Sequence, residues 1–268
     1  MKGYWAKKQR IWEIDFLRGL AIVLMIIDHL IFDIVYFFRE AWINSAQNTE
    51  FYENLTYSLQ GFVDSRVKLF FHFLFVGIFL IISGISNEFS KNNIIRGIKI
   101  LLIASMITII TMFLGTPVKF GILHLLGICI IVDGIIRYLL KDVKYLFAVR
   151  ILFILLLIVL DIATRNVSIK DDKFLFIFSY NLIGPMIESF DYAPIFQYAP
   201  LFIIGTMFSP MYKKRESILP ALDKKINIVF NFIGEHAIWF YVFHQPVIIL
   251  VLQIISMLFI TNGKIVKI

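Results

Sequence analysis

Long apolar runs separated by short polar segments form the dominant pattern along the chain. A membrane-spanning helix needs about 20 mostly apolar residues. Clear runs near this length occupy 14–37, 68–86, 94–114, 121–137 and 145–162. We therefore predict an all-α fold, a polytopic bundle of transmembrane helices.

The C-terminal third follows the same pattern less regularly. Residues 174–187 and 196–209 are shorter apolar stretches broken by proline and glycine, and 228–260 is a long stretch that contains Pro246. We predict about seven spans in all, with eight as the alternative. The broken stretch near 174–195 is then a re-entrant or interfacial element, because irregular backbone at membrane depth is tolerated only within protein or beside a watery cavity.

The positions of lysine and arginine predict the orientation of the bundle, since cytoplasmic loops are enriched in both. Basic residues are concentrated in the first ten positions and in the segments 91–99, 137–144 and 213–225, and these alternate with less basic connections. We expect an integral, multi-pass membrane protein with its N-terminus in the cytosol.

Composition excludes the soluble and disordered classes. The 268 residues are 59% hydrophobic and 17% charged, with a mean hydropathy of +0.83. In soluble domains about 45–50% of the residues are apolar and about 25% are charged. The formal net charge of +7 arises between the apolar runs, so we expect a lipid bilayer, and no nucleic acid, as a partner. The whole chain, 1–268, is predicted to form a single membrane-embedded domain.

The first span carries an unusual stripe of ionisable side chains. Arg18 and His29 lie 11 residues apart, which at about 100° per residue is three turns plus about 20°. Asp15 and Asp33 each fall about 60° from Arg18, so these four residues share one sector of the helix, whereas Asp28 lies outside it. Because charges within a span cost about 2.5–3.5 kcal/mol each, the stripe indicates partners or a functional site.

Two interpretations of the stripe stay open. In the structural one, Arg18 reaches the cytosolic headgroups, Asp15 pairs with it at i,i+3, and His29 bonds to a neighbouring helix. In the functional one, Asp33 orients and charges His29 as a general base, because it follows four residues later on the same face. Neither an HxxxH pair nor another compact set of ligands is present in the sequence, so we predict no metal site.

A series of short motifs resembles a known family. The run RIWEIDFLRGLAI at 10–22 continues through Met25 to His29 and Asp33, and similar motifs follow in order over most of the chain. They are Gly84-Ile85-Ser86, Arg96-Gly97, FGILHLLG at 120–127, Asp191-Tyr192, Ile233-Gly234, Tyr241 and His244-Gln245-Pro246. The chain resembles the catalytic domain of heparan-alpha-glucosaminide N-acetyltransferase and its small bacterial relatives. The arginine and histidine at 18 and 29 also resemble a signature of the wider membrane acyltransferase superfamily.

The resemblance implies a transmembrane acyltransferase that moves an acetyl group from cytosolic acetyl-CoA to an amine or hydroxyl of a sugar or cell-envelope glycan. It implies a bacterial inner or plasma membrane and leaves a homodimer open. On this hypothesis Arg18 and Asp15 bind the CoA moiety, and His29 with Asp33 is catalytic. The residues expected to contact substrate, by resemblance alone, are His124, Asp191, Tyr192, His244 and Gln245.

Two other functional classes stay open. A transporter or flippase would also use intramembrane charges, as a permeation or proton path, although the sequence shows no inverted repeat. A structural subunit would use the four stripe residues as packing charges, so their removal would lower stability rather than activity.

Overall fold

The computed structural model describes residues 10–45, 49–115, 117–140, 143–165, 167, 175–179, 191–212, 216–223, 227–260 and 266. These residues form helices and their connections, with no strand among them. The predicted all-α fold is therefore confirmed.

Ten α-helices follow one another along the described residues. They are α1 (Trp12–Asp33), α2 (Arg39–Ser45), α3 (Thr49–Val63), α4 (Arg66–Asn87), α5 (Asn93–Phe113), α6 (Ile122–Leu139), α7 (Val143–Thr164), α8 (Ile195–Phe208), α9 (Ile228–Glu235) and α10 (Ala237–Ile255). A π-helical segment, Ile34–Phe38, joins α1 to α2, and a second one, Ser256–Ile260, follows α10.

Six segments of the described residues are long and apolar enough to cross a membrane: Trp12–Asn44, Arg66–Asn87, Asn93–Phe113, Ile122–Leu139, Lys144–Thr164 and Ala237–Leu258. The stretch predicted at 196–209 is the 14-residue helix α8, which contains Pro200. The stretch predicted at 228–260 is divided at His236 into α9 and α10. Most of the element predicted near 174–195 lies outside the described residues, apart from a 3₁₀ turn at Leu175–Ile177 and the residues from 191 onward.

Local sequence determines where α5 begins and ends. The Asn92 side chain caps its N-terminus by accepting a hydrogen bond of 3.2 Å from the backbone N–H of Ile95. At the other end Gly115 adopts φ 79°, a left-handed conformation that favours glycine and stops helices.

By its internal contacts the chain divides into two compact units. The central unit comprises the described residues of Leu80–Ile218, and the terminal unit comprises those of Arg10–Phe79 together with Leu219–Ile268. The division falls inside α4, and the single domain expected over 1–268 stays a prediction.

In the terminal unit, α1 and α9 cross with their backbones in direct contact. A Cβ atom at Gly19 would lie 1.9 Å from the carbonyl oxygen of Phe230, and one at Gly234 would lie 1.7 Å from that of Asp15. Only glycine leaves room for this approach. It brings the first turns of α1 against the end of α9.

Glycine also sets the helix crossings of the central unit. A Cβ atom at Gly84 in α4 would lie 2.1 Å from the carbonyl oxygen of Phe202, and one at Gly205 in α8 would lie 2.1 Å from that of Ile81. Close approach of backbones through small residues is a common way for membrane helices to associate, because lipid offers no hydrophobic drive between them.

Candidate active site

The N-terminal turns of α1 hold a cluster of charges that belongs to the terminal unit. Nη1 of Arg18 donates to Oδ1 of Asp15 at 3.0 Å and to the carbonyl oxygen of Gly234 at 3.2 Å. Nε of Arg10 donates to Oδ2 of the same carboxylate at 2.9 Å, and its Nη1 donates to Oε1 of Glu235 at 2.5 Å. Asp15 is thus shared between two arginines, one of them the i,i+3 partner that the sequence predicted.

Arg10, like its partner Glu235, is a member of this cluster that sequence reasoning did not select. Its side chain is 48% exposed, whereas that of Arg18 is 17% exposed. The hydrogen bond that Arg10 donates to Asp15 raises the pKa of Arg10 above its ordinary value, with smaller contributions from the charges of Asp15 and Glu235. Arg10 is the first residue of the RIWEID motif, and this position was the sequence feature that could have indicated its role.

His29 packs against His244, the histidine of α10. The ring centroids lie 4.8 Å apart and the ring planes are at 89°. Nδ1 of His29 lies 2.9 Å from the carbonyl oxygen of Met25, and Nδ1 of His244 lies 2.5 Å from that of Tyr241. Because a carbonyl oxygen can only accept, each Nδ1 is the donor in its contact, and Nε2 is the ring nitrogen left for other partners.

Nε2 of His244 is buried and has no hydrogen-bond partner in the described structure. Buried polar atoms nearly always have a partner, so an exception calls for an explanation. An unpaired buried nitrogen beside a second imidazole is suited to forming a hydrogen bond with a bound molecule.

Asp33 ends α1 and is fully buried, and it is held by Gln245 of α10. Nε2 of Gln245 donates to both carboxylate oxygens, at 3.0 and 2.9 Å, while its own Oε1 is buried without a partner. Asp33 lies within electrostatic range of His29, although its hydrogen bonds in the described structure come from Gln245. The π-helical segment begins at the next residue, and such segments are frequent at functional sites.

Four residues that the sequence selected are therefore brought together from two helices: His29, Asp33, His244 and Gln245. Asp15 and Arg18 lie on the same helix as His29, at its opposite end. The physical consequence is one site in the terminal unit with a basic pair, an adjacent carboxylate and unpaired buried polar atoms.

The central unit contains three further residues that the sequence selected: His124, Asp191 and Tyr192. Their hydrogen bonds hold the connection that precedes α6. Nδ1 of His124 accepts the backbone N–H of Gly121 at 3.2 Å, and its Nε2 lies 3.3 Å from the hydroxyl of Thr108. Oδ2 of Asp191 accepts the N–H of Ile122 at 3.3 Å. The hydroxyl of Tyr192 donates to the carbonyl oxygen of Phe176.

The central unit also contains a buried ion pair that sequence reasoning missed. Nε and Nη2 of Arg150 in α7 donate to Oδ1 of Asp133 in α6 at 3.1 and 2.7 Å, and Nδ2 of Asn87 donates to Oδ2 at 2.8 Å. Arg137 donates to Oε1 of Glu88 at 3.0 Å beside this pair. The sequence could have indicated this pair, because Asp133 and Arg150 are charged residues within two predicted spans.

No group of three or more His, Cys, Asp and Glu side chains within the described ranges could hold a metal ion. The absence of a metal site stays a prediction.

Comparison with known proteins identifies the family. A family model described as heparan-alpha-glucosaminide N-acetyltransferase, catalytic, matches residues 10–246. No curated protein and no solved structure matches the chain. The match begins at Arg10 of the charged cluster and ends one residue beyond Gln245, so it covers the whole candidate site. The chain is a multi-pass membrane protein and belongs to the catalytic family of heparan-alpha-glucosaminide N-acetyltransferase, a family of membrane acetyltransferases.

Proposed function

We propose that this protein transfers an acetyl group from acetyl-CoA to an amine or hydroxyl of a sugar or cell-envelope glycan. The observation that carries the proposal is the His29 and His244 pair, with a buried, unpaired Nε2, on a framework that matches a family of acetyltransferases. The donor binds from the cytosolic side of a bacterial inner or plasma membrane, and the acceptor from the other side.

The reaction needs a base at the acceptor and a proton for the thiol. The acceptor nitrogen or oxygen forms a bond to the acetyl carbonyl carbon, and the carbon–sulfur bond breaks with its electron pair passing to sulfur. Nε2 of His29 takes the proton that the acceptor loses, and the CoA sulfur leaves as a thiol after gaining one proton. The second imidazole and the Asp33 carboxylate stabilise the charge that develops on His29.

The charged cluster at the start of α1 is assigned to the donor. Arg18 is held in place by Asp15 and the carbonyl of Gly234, and the more exposed Arg10 supplies a further guanidinium for phosphate groups. Arg18 and His29 are separated by roughly 16 Å along the helix, which is comparable to the length of a pantetheine arm.

The residues that contact substrate are assigned by the hydrogen bonds that their side chains can still form. Nε2 of His244 and Oε1 of Gln245 are the two unpaired buried atoms at this site, so they are the groups assigned to contact the acceptor. His124, Asp191 and Tyr192 already bond to the backbone around α6. We assign them the structural role of holding that connection within the central unit.

The test is acetyl-CoA binding and thiol release by the purified protein in detergent, for the unmodified chain and for His29→Asn. We expect the variant to bind acetyl-CoA normally and to lose about 10²- to 10⁴-fold in turnover, the usual contribution of a general base. His236→Asn is the matched control, because His236 also bonds its Nδ1 to a helix carbonyl, that of Phe232, but lies outside the site.

Failure of the well-folded, unmodified protein to bind acetyl-CoA would contradict the proposal and bring forward the transporter hypothesis. Equal turnover by His29→Asn and the unmodified chain would remove His29 from the mechanism.

A further inference from the structure

The helices that carry the candidate site meet again beyond it, at a buried hydrogen bond. The helical segment that begins with α1 continues through the π-helical segment into α2, where Nε1 of Trp42 donates to Oγ of Ser256 at 2.7 Å. Ser256 follows α10 directly. Trp42 is 4% exposed and Ser256 is fully buried, and both belong to the terminal unit. None of the roles assigned above uses this contact.

The hydroxyl of Ser256 is fixed in direction by a second hydrogen bond. It donates to the carbonyl oxygen of Leu252 at 2.6 Å, so its oxygen is turned to accept the N–H of Trp42. Trp42 otherwise belongs to a buried hydrophobic cluster that includes Phe38 and Ile248. A polar contact inside an apolar cluster favours one arrangement of the packed helices, because any slip leaves the buried N–H without an acceptor.

The π-helical segment Ile34–Phe38 explains why Trp42 faces α10. Trp42 follows Asp33 by nine residues, which in an α-helix is about two and a half turns and would place them on opposite sides. A π turn accommodates one extra residue, so the residues after it are turned back by about 100°. Trp42 then lies about 80° from Asp33, and both contact α10. Their partners Gln245 and Ser256 are 11 residues apart, or three turns plus about 20°.

Contacts to the C-terminal helices therefore lie on both sides of the catalytic pair. On one side Gly19 lies against α9, and on the other Trp42 bonds to Ser256. The packed imidazoles of His29 and His244 lie between these contacts along both chain segments. A displacement of about 1 Å at a catalytic group can lower the rate about 10²-fold. The register of α1 against α10 is thus a determinant of the geometry of the catalytic pair.

We propose that Trp42 and Ser256 are positioning residues for acetyl transfer, and that their hydrogen bond fixes the register of α1 against α10 and so holds His29 against His244. The inference rests on the proposed acetyltransferase function. Ser256 lies roughly 18 Å beyond His244 along the helix, so it acts through the helix and does not contact the reacting atoms.

The experiment measures thiol release from acetyl-CoA by the purified protein, with water as the acceptor, over a range of acetyl-CoA concentrations. Ser256→Ala and Trp42→Phe each remove the hydrogen bond, and Trp42→Phe keeps an aromatic ring in the hydrophobic cluster. For each variant we expect kcat per folded molecule to fall about tenfold, with acetyl-CoA binding and KM unchanged. The double variant should be no slower than the slower single variant, because both changes remove the same interaction.

Ser209→Ala is the matched control. Ser209 is also buried, and its hydroxyl donates to the carbonyl oxygen of Thr206 at 2.7 Å, but it lies on neither α1 nor α10. Its kcat per folded molecule should equal that of the unmodified protein.

A purely structural role for Trp42 and Ser256 predicts lower stability with an unchanged kcat per folded molecule. That result, or losses in kcat that multiply in the double variant, would overturn the positioning role while leaving the acetyltransferase intact. If the folded, unmodified protein does not consume acetyl-CoA, the proposed function fails and the positioning role fails with it.

Discussion

The two buried carboxylates Asp33 and Asp133 differ in how their charge is compensated. Asp133 in the central unit accepts two hydrogen bonds from Arg150 and one from Asn87, and a second arginine, Arg137, lies 3.8 Å away. Asp33 in the terminal unit is fully buried, and its hydrogen bonds in the described structure come from the neutral amide of Gln245. An uncompensated carboxylate within a membrane is costly to keep.

The comparison separates a charge used for structure from a charge available for chemistry. Asp133 joins α6 to α7 and α4, and each of its oxygens has a donor. Asp33 lies near an imidazole pair and beside unpaired polar atoms. The following predictions test this difference, in order of decreasing effect.

Breaking the compensated pair should have the largest effect. Arg150→Met removes the hydrogen-bonded cation and leaves the buried Asp133 carboxylate with the more distant Arg137, so the free energy of unfolding in mild detergent should fall by about 3–5 kcal/mol. The double variant Arg150→Met with Asp133→Asn removes both charges and should recover much of that loss. Turnover per folded molecule should stay near that of the unmodified protein.

Chemical or thermal unfolding monitored by circular dichroism would measure both variants. A single variant as stable as the unmodified protein would show that the pair contributes little, and the structural assignment of Asp133 would be wrong.

Removing the uncompensated charge of Asp33 should have the opposite result, with little change in stability and a loss of turnover. Asp33→Asn keeps the shape of the side chain, so the free energy of unfolding should change by less than about 1 kcal/mol or increase. Turnover should fall about tenfold, equivalent to about 1.4 kcal/mol in the barrier, because the developing positive charge on His29 loses a nearby anion. The same unfolding assay and thiol-release assay measure both quantities.

A loss of stability for Asp33→Asn as large as that of Arg150→Met would contradict the distinction between the two carboxylates. Unchanged turnover would instead remove Asp33 from the site.

The smallest effect is expected at His124. His124→Ala leaves the backbone N–H of Gly121 without its acceptor and should lower the free energy of unfolding by about 1 kcal/mol. Turnover per folded molecule should change little, since both ring nitrogens already contact protein groups. His244→Asn is the matched comparison, and it should lower turnover far more than stability. A His124 variant that is stable but inactive would return His124 to the substrate site.

Helical periodicity predicted much of the fold and part of the site. The apolar runs at 68–86 and 94–114 became α4 at Arg66–Asn87 and α5 at Asn93–Phe113. The same periodicity placed Asp15, Arg18, His29 and Asp33 on one face of α1. The Asp15 and Arg18 contact could be predicted because both residues lie on one helix three residues apart.

Partners on other helices could not be predicted in this way. The pairing of Asp33 with Gln245 and of His29 with His244 depends on how α10 packs against α1, which a periodic pattern does not encode. The split of 228–260 at His236 was missed although Gly234-Glu235-His236 interrupts the apolar run at that point. The pairing of Asp133 with Arg150 likewise joins two helices, α6 and α7, so periodicity along a single helix does not predict it.

The contacts of α1 also constrain the biosynthesis of the protein. Arg18 bonds to Gly234, 216 residues later, and Asp33 bonds to Gln245, 212 residues later. At a synthesis rate of about 5–20 residues per second, roughly 10–40 s separate the first helix from these partners. The newly inserted first helix must therefore remain in the bilayer without these partners, and Asp33 in particular lacks the amide of Gln245 that holds it. During that interval the nascent chain should be most dependent on insertion machinery and most exposed to membrane proteases.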